Sequence, residues 1–328
     1  MGTLRRVDRV DENGQEEQCW ANADGTTFDT RIGPAYPQNK KKDSSKQCIY
    51  ECKAIDIYIT DTKISHVARL MDLPGDHLDD AGNDGYLPQT FVVNCQIPNY
   101  PLENALWGAC AGDGPGYSLI FYFTLSEFGR EAVAKRGKLV SAADDPISHL
   151  RGTLHHAAAA KAASPPPAHA NSFSSSVYYS KDDPSCFRSV TEPEDASLRL
   201  LHNFVAADEG TDLRQRFKGI ARLMNVNDAG LGGATKKLIT MYNGTPFLIR
   251  TCSVFWRGDT YFEVDVDVHR FSYTSRLGLS GVKERIKDCV FDFGFVIEGH
   301  SDFELPENML GAVRFSKLDL TQATKFPG

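Results

Sequence analysis

The sharpest alternation of apolar and polar positions lies between Thr251 and Gly299. From Phe262 to His269 the side changes at every residue: Phe262, Val264, Val266 and Val268 fall on one face, Glu263, Asp265, Asp267 and His269 on the other. A period of two sends successive side chains to opposite faces of a pleat, so this stretch predicts a half-buried β-strand. Arg257-Gly258-Asp259 supplies turn chemistry before it, and Ser253-Val254-Phe255-Trp256 predicts the partner strand of a hairpin. Downstream the period changes. Leu279, Val282, Ile286, Cys289, Val290 and Phe293 recur at three and four residues, which predicts an amphipathic helix from Ser275 to Phe291. Phe295-Val296-Ile297 predicts a short buried strand closed by Gly299.

The remainder of the chain fits around this stretch. Ile55, Ile57 and Ile59 alternate with Asp56, Tyr58 and Thr60, and Thr90 to Pro98 and Tyr117 to Leu125 are dense in β-branched and aromatic residues. All three predict strands. Further on, Leu198, Leu201 and Phe204 predict a helix, whereas Arg216 to Val226 and Lys237 to Arg250 predict strands, the latter with a turn at Asn243-Gly244. Leu305 to Leu310 predicts one helical turn and Ala312 to Leu320 a final strand. Residues 1–16 are charged and are expected to be flexible. Residues from about 141 to 191 include HHAAAAKAASPPPAHANSFSSS, which offers too little apolar surface to offset the entropy of ordering and predicts a disordered insertion. One globular domain over 17–325, interrupted by that insertion, is expected. Its class is α+β: a mainly antiparallel, curved sheet packed against one long C-terminal amphipathic helix.

Composition narrows the function. A chain of 328 residues with 41% hydrophobic and 24% charged residues is an ordinary globular protein with a sizeable core. Its net charge of −7 argues against a nucleic-acid binder, which needs a basic footprint. The 8 cysteines are scattered, which predicts reduced thiols. The first residues lack the apolar run of a signal peptide, and no apolar stretch is long enough to span a bilayer, so a cytoplasmic protein is expected, one that could sit at a membrane surface. No cofactor motif is present. Gly230 to Lys237 reads GLGGATKK, without the order of a phosphate-binding P-loop, and there is no GxSxG.

Three groups of residues carry candidate chemistry. Glu263, Asp265 and Asp267 recur at i, i+2 and i+4, about 7 Å apart along one strand face. Such a row suits a hard cation such as Mg²⁺ or Ca²⁺. It equally suits pairing with Arg250, Arg216 or Lys218 from neighbouring strands, since like charges so placed need compensation. Arg216, Lys218, Arg250 and Arg314, with Lys236-Lys237, form basic clusters able to meet an anionic headgroup. Phe121, Phe123, Trp256, Phe262 and Phe293 lie on predicted strands or the predicted helix, where they either pack as core or line an apolar pocket.

The segments CWANADGTTFDTR, TFVVNCQIP, YSLIFYFTL, RFKGIARLM, YFEVDVDV and LPENMLGAVRFSKLDL resemble, in order and spacing, the C-terminal domain of the plant Enhanced Disease Resistance 2 proteins, otherwise classed as a domain of unknown function. The resemblance runs from about Cys19 to Leu320 outside the insertion. In the plant proteins this domain follows a headgroup-binding pleckstrin homology domain and a lipid-pocket START domain, neither of which fits before Cys19. The family has no agreed catalytic residues to carry over. The resemblance thus implies a non-enzymatic lipid-binding or membrane-peripheral module, by association with lipid-binding domains. The alternatives are a protein-interaction scaffold and a metal-dependent enzyme using the acidic strand.

Overall fold

The computed structural model describes residues 2–12, 14, 16–74, 85–100, 112–144, 193–250 and 252–327, with no side-chain detail for 137–144 and 193–195. The expected disordered insertion therefore lies, apart from its first four residues, outside the described residues.

Strands β1 (Arg5–Arg6), β2 (Cys19–Asn22), β3 (Asp29–Arg31), β4 (Lys42–Ser44), β5 (Tyr50–Thr60), β6 (Thr90–Pro98) and β7 (Gly116–Leu125) come from the first part of the chain. Strands β8 (Phe217–Leu223), β9 (Phe247–Leu248), β10 (Ser253–Arg257), β11 (Tyr261–Asp267), β12 (Val290–Ile297), β13 (Met309–Ser316) and β14 (Thr324–Lys325) come from the second. They build two six-stranded sheets, ordered β1-β2-β13-β12-β8-β9 and β10-β11-β6-β7-β5-β14, while β3 and β4 form a separate ribbon. The class is α+β, but the sheet expectation needs correcting. Among the described residues there are two large sheets and a ribbon rather than one sheet, and both large sheets are mixed: β1–β2, β6–β11 and β5–β14 run parallel.

The core lies between the sheets. Phe91, Phe121, Phe123 and Phe262 from one sheet meet Phe217, Phe295 and Phe315 from the other, with ring centroids 5.5–6.3 Å apart. Their strands alternate as expected, one face in the aromatic core and the other turned away from it. Approach is close enough that a Cβ on Gly311 would lie 2.5 Å from Phe123 Cε1. Five helices complete the described fold: α1 (Tyr36–Asn39), α2 (Glu127–Asp144), α3 (Pro193–Ala206), α4 (Gly233–Tyr242) and α5 (Tyr273–Lys283). In α3 the spacing of Leu198, Leu201 and Phe204 does produce a buried stripe, and Phe204 reaches Phe217, Phe255 and Phe262.

The long C-terminal helix does not exist. The longest helix among the described residues is α2, 18 residues long, in the first half of the chain. The expected helix resolves into the 11-residue α5, a 3-10 turn at Ile286–Asp288, and strand β12 starting at Val290. Ser272 caps α5 by accepting from the Ser275 N–H at 3.2 Å, and Arg285 at φ −120° has left helical geometry. Ile286, Cys289, Val290 and Phe293 satisfy helical spacing by coincidence, because a turn joins directly to a strand. The strand expected from Lys237 to Arg250 is likewise helix, α4, up to Tyr242, with only Phe247–Leu248 as strand.

Candidate functional site

The buried carboxylates on the outer face of β11 meet a roof of loop. Over the β5–β7–β6–β11 sheet that roof is Ile64–Leu73. Glu263, fully buried, accepts the Val67 N–H at 2.8 Å on Oε1 and the Ala68 N–H at 2.9 Å on Oε2. Asp265, 2% exposed, accepts the His66 N–H at 3.0 Å, Trp256 Nε1 at 2.7 Å and Asn94 Nδ2 at 2.7 Å. Asn94 and Gln96 each donate 2.8 Å bonds to the Ile64 carbonyl. The roof needs these donors and acceptors because its own backbone is too short of secondary structure to satisfy itself. Burial, and then the neighbouring Asp265 charge, push the Glu263 carboxyl well above the usual carboxylate range.

The structure therefore places the acidic strand face inside the molecule. Glu263 and Asp265 hold a loop down rather than meeting Arg216, Lys218 or Arg250. Asp267 binds Lys63 Nζ at 2.9 Å and caps the turn at His269. Among the described residues no group of three His, Cys, Asp or Glu side chains is arranged to hold a metal ion.

The outer face of the second sheet is ionic. Asp292, at the centre of β12, is flanked in register by Arg222 on β8 and Arg314 on β13. Arg314 grips it at 2.5 and 2.9 Å and Arg222 at 2.5 Å. The hydrogen bond to Asp292 holds the Arg314 guanidinium above its ordinary pKa. Four residues away on β8, Lys218 is 3% exposed and binds Glu307 Oε1 at 2.8 Å. Arg31 on β3 binds Glu298 Oε1 at 2.6 Å, and Glu298 Oε2 lies 3.8 Å from Lys218. Burial lowers the Lys218 pKa, with Glu307 opposing it. Burial works against ionised Glu298, yet Lys218 and Arg31 keep its carboxyl below the usual value. Arg216 pairs with Asp212 at 2.6 Å and Glu304 at 3.1 Å. Of the four basic headgroup candidates, three thus already hold carboxylates, and Arg250 is exposed past β9.

Beside the Lys218–Glu307 pair opens a cavity of about 220 Å³, whose wall includes Arg31, Tyr36, Lys42, Thr245 and Glu298. A second, of about 70 Å³, lies near Tyr86, His202 and Tyr261. Neither is lined by Phe121, Phe123, Trp256, Phe262 or Phe293. Phe121, Phe123 and Phe262 are fully buried in the ring cluster, Phe293 packs on Phe121 and Phe295, and Trp256 stacks on His66 at 4.5 Å on the opposite face.

The third surface is the pair α4–α5. Gly281 lets the helices touch, since a Cβ there would stand 2.6 Å from Thr235; Leu238 sits against Gly278. The two helices carry Lys236, Lys237, Arg276 and Lys283 and no carboxylate. Arg276 is buried, and Met241, Tyr242, Tyr273 and Leu277 are 61, 55, 45 and 46% exposed. Sequence reasoning found Lys236-Lys237 but missed the helix under it, because Ile239, Thr240 and Tyr242 carry β propensity. It also missed Arg31, Glu298 and Glu307 as one ionic group. The Glu-x-x-Glu of ELPENML was the available signal.

Comparison with known proteins agrees with these motifs. Residues 20–319 match the family described as Protein ENHANCED DISEASE RESISTANCE 2, C-terminal. A protein of Arabidopsis thaliana named Protein ENHANCED DISEASE RESISTANCE 2-like is 40% identical over 68 residues, which is 20% of this chain and 9% of that relative. The aligned part is thus a small fraction of the relative's length. No solved structure matches the chain. The quoted motifs turn out to be internal fasteners: Asn94 and Gln96, Glu263 and Asp265, Glu307 and Arg314. Matched over nearly its whole length, the chain belongs to the Enhanced Disease Resistance 2 C-terminal family.

Proposed function

We propose that this chain is a non-enzymatic module that binds peripherally to anionic membrane surfaces through the α4–α5 pair. One observation supports this above the others: in a chain of net charge −7, two packed helices carry no carboxylate, three cations that reach the surface (Lys236, Lys237 and Lys283), and four half-exposed apolar or tyrosyl side chains. Cations meet lipid phosphates, and tyrosine and leucine enter the headgroup layer, where an aromatic ring with a polar tip is favoured. Each lysine near such a surface contributes about 1 kcal/mol. Among the described residues no helix is long and apolar enough to cross a membrane. The aromatic rings first considered for a lipid pocket serve the core in this reading, so the contact is with the membrane surface.

Co-sedimentation with phosphatidylserine-containing vesicles tests the proposal. Binding should fall with salt, be weak on pure phosphatidylcholine, and drop roughly 30-fold or more in K236E/K237E, which reverses two surface charges. Equal binding to neutral and anionic vesicles, or an unaffected K236E/K237E, would refute it. The scaffold reading draws on β10, the sheet-edge strand, where Val254 is 43% exposed. Loss of a protein partner on Val254→Lys, with vesicle binding absent throughout, would favour that reading instead.

A further inference from the structure

We infer that the cavity beside Lys218 is a binding site for a neutral, polyhydroxylated ligand the size of a monosaccharide. The inference does not depend on the membrane reading. Its first support is size. A cavity of about 220 Å³ holds the equivalent of roughly seven waters at about 30 Å³ each, which suits a small polyol.

The second support is charge. The wall carries three cations, Arg31, Lys42 and Lys218, and three carboxylates, Asp29, Glu298 and Glu307. A polyanion entering here would face three carboxylates and a bare cation three ammonium or guanidinium groups. Neither is matched, whereas a neutral ligand meets no uncompensated charge.

The third support is the spacing of donors and acceptors. Arg31 Nη1 to Glu298 is 2.6 Å, Glu298 to Lys218 is 3.8 Å, Lys218 to Glu307 is 2.8 Å and Arg31 Nε to Glu307 is 3.7 Å. Donors and acceptors therefore alternate around one wall. A hydroxyl is both donor and acceptor, so a row of hydroxyls is the complement of such an alternation. The groups are also held before any ligand arrives. Glu307 is fixed by the Gly299 N–H at 3.0 Å and the Arg31 N–H at 3.2 Å, and Glu298 is 8% exposed with Oε2 accepting no hydrogen bond. Charged pairs preset in this way make stronger hydrogen bonds than neutral groups. Ile220, Leu248 and Val296 line the remaining wall and can take the C–H faces of a sugar ring.

Saturation-transfer NMR on the full chain tests this with glucose, sorbitol, inorganic phosphate and glycine betaine, each at millimolar concentration. Transfer to glucose or sorbitol, but not to phosphate or betaine, is the expected result. In T245W an indole should fill the mouth of the cavity and weaken binding about tenfold or more. Thr245 is exposed, so folding is not at risk. Vesicles of neutral galactosyl lipid separate the two sources of such a ligand. Recruitment that T245W abolishes assigns a lipid headgroup, and binding of the free polyol alone assigns a soluble compound. Preference for phosphate or betaine, no transfer to any probe, or polyol binding unchanged in T245W would each overturn the inference.

Discussion

Replacing Asp292 by Asn keeps shape and removes charge, and it isolates what the outer ionic face contributes. Asp292 is fully buried and receives bonds of 2.5, 2.9 and 2.5 Å from two arginines on either side of its strand. In D292N two guanidiniums face one another across a neutral amide that can return one acceptor. Breaking a buried ion pair at one partner costs about 3–5 kcal/mol. Arg222 and Arg314 keep 21 and 17% of their side-chain surface exposed, so water partly re-solvates them. That places the expected loss at about 3 kcal/mol, or roughly 4–5 °C in Tm for a chain of this size. Urea unfolding followed by tryptophan fluorescence measures it, because one of the three tryptophans, Trp20, is buried on β2 opposite Phe315 of the affected neighbour strand. The triple variant R222M/D292L/R314M removes every charge at once and should recover most of the loss, since apolar replacement of a whole buried cluster is often neutral. A D292N loss below about 1 kcal/mol, or a triple variant worse than D292N, would refute the argument that the charges are stabilised by each other.

Three further outcomes follow. Because the folded Glu263 carboxyl sits above its unfolded value of 4.5, the native state holds the extra proton in the window above that pH. Stability should therefore fall as pH rises from about 4.5, and Glu263→Gln should flatten that slope; an unchanged slope in urea titrations at several pH values would be contrary. Gly281→Ala should destabilise by about 1–2 kcal/mol despite alanine's better helix propensity, because its Cβ would stand 2.6 Å from Thr235, and T235G should restore it. Lys218→Met should destabilise by about 3 kcal/mol by taking the nearest cation from buried Glu307 and leaving it Arg31 at 3.7 Å, and K218M/E307L should be milder, as read from the midpoint of thermal unfolding.

Period-two patterning located β5, β6, β7 and β11 well, and the hairpin β10–β11 stands where Arg257-Gly258-Asp259 marks it. What patterning could not supply is the identity of whatever covers a strand's second face. Glu263 and Asp265 alternate with valines as a solvated face would, yet Ile64–Leu73, nearly two hundred residues away in sequence, lies on them. Asp292 drew no notice because its two arginines, at 222 and 314, become neighbours only through sheet order. The missing C-terminal helix has a local cause: a turn followed by a strand reproduced helical spacing over Ile286, Cys289, Val290 and Phe293. Of the basic candidates, Arg216, Lys218 and Arg314 are identical in sequence terms to surface cations, and only geometry shows them occupied. The motif ELPENML carried the Glu307 position in plain view, but its partner Lys218 had to be brought beside it by β8.

The two sheets are braided from both parts of the chain. One takes β5, β6 and β7 from before residue 145 and β10, β11 and β14 from after 192; the other takes β1 and β2 from the first part and its four remaining strands from the second. During synthesis, β6 must wait for residues 261–267 before its free edge is paired. Until then Phe91, Val93 and their apolar neighbours have only half a sandwich to enter. Such separation makes folding slow and leaves the nascent chain open to aggregation. Neither part completes a sheet without the other, and molecular chaperones should hold the first part longest when elongation pauses between residues 125 and 260.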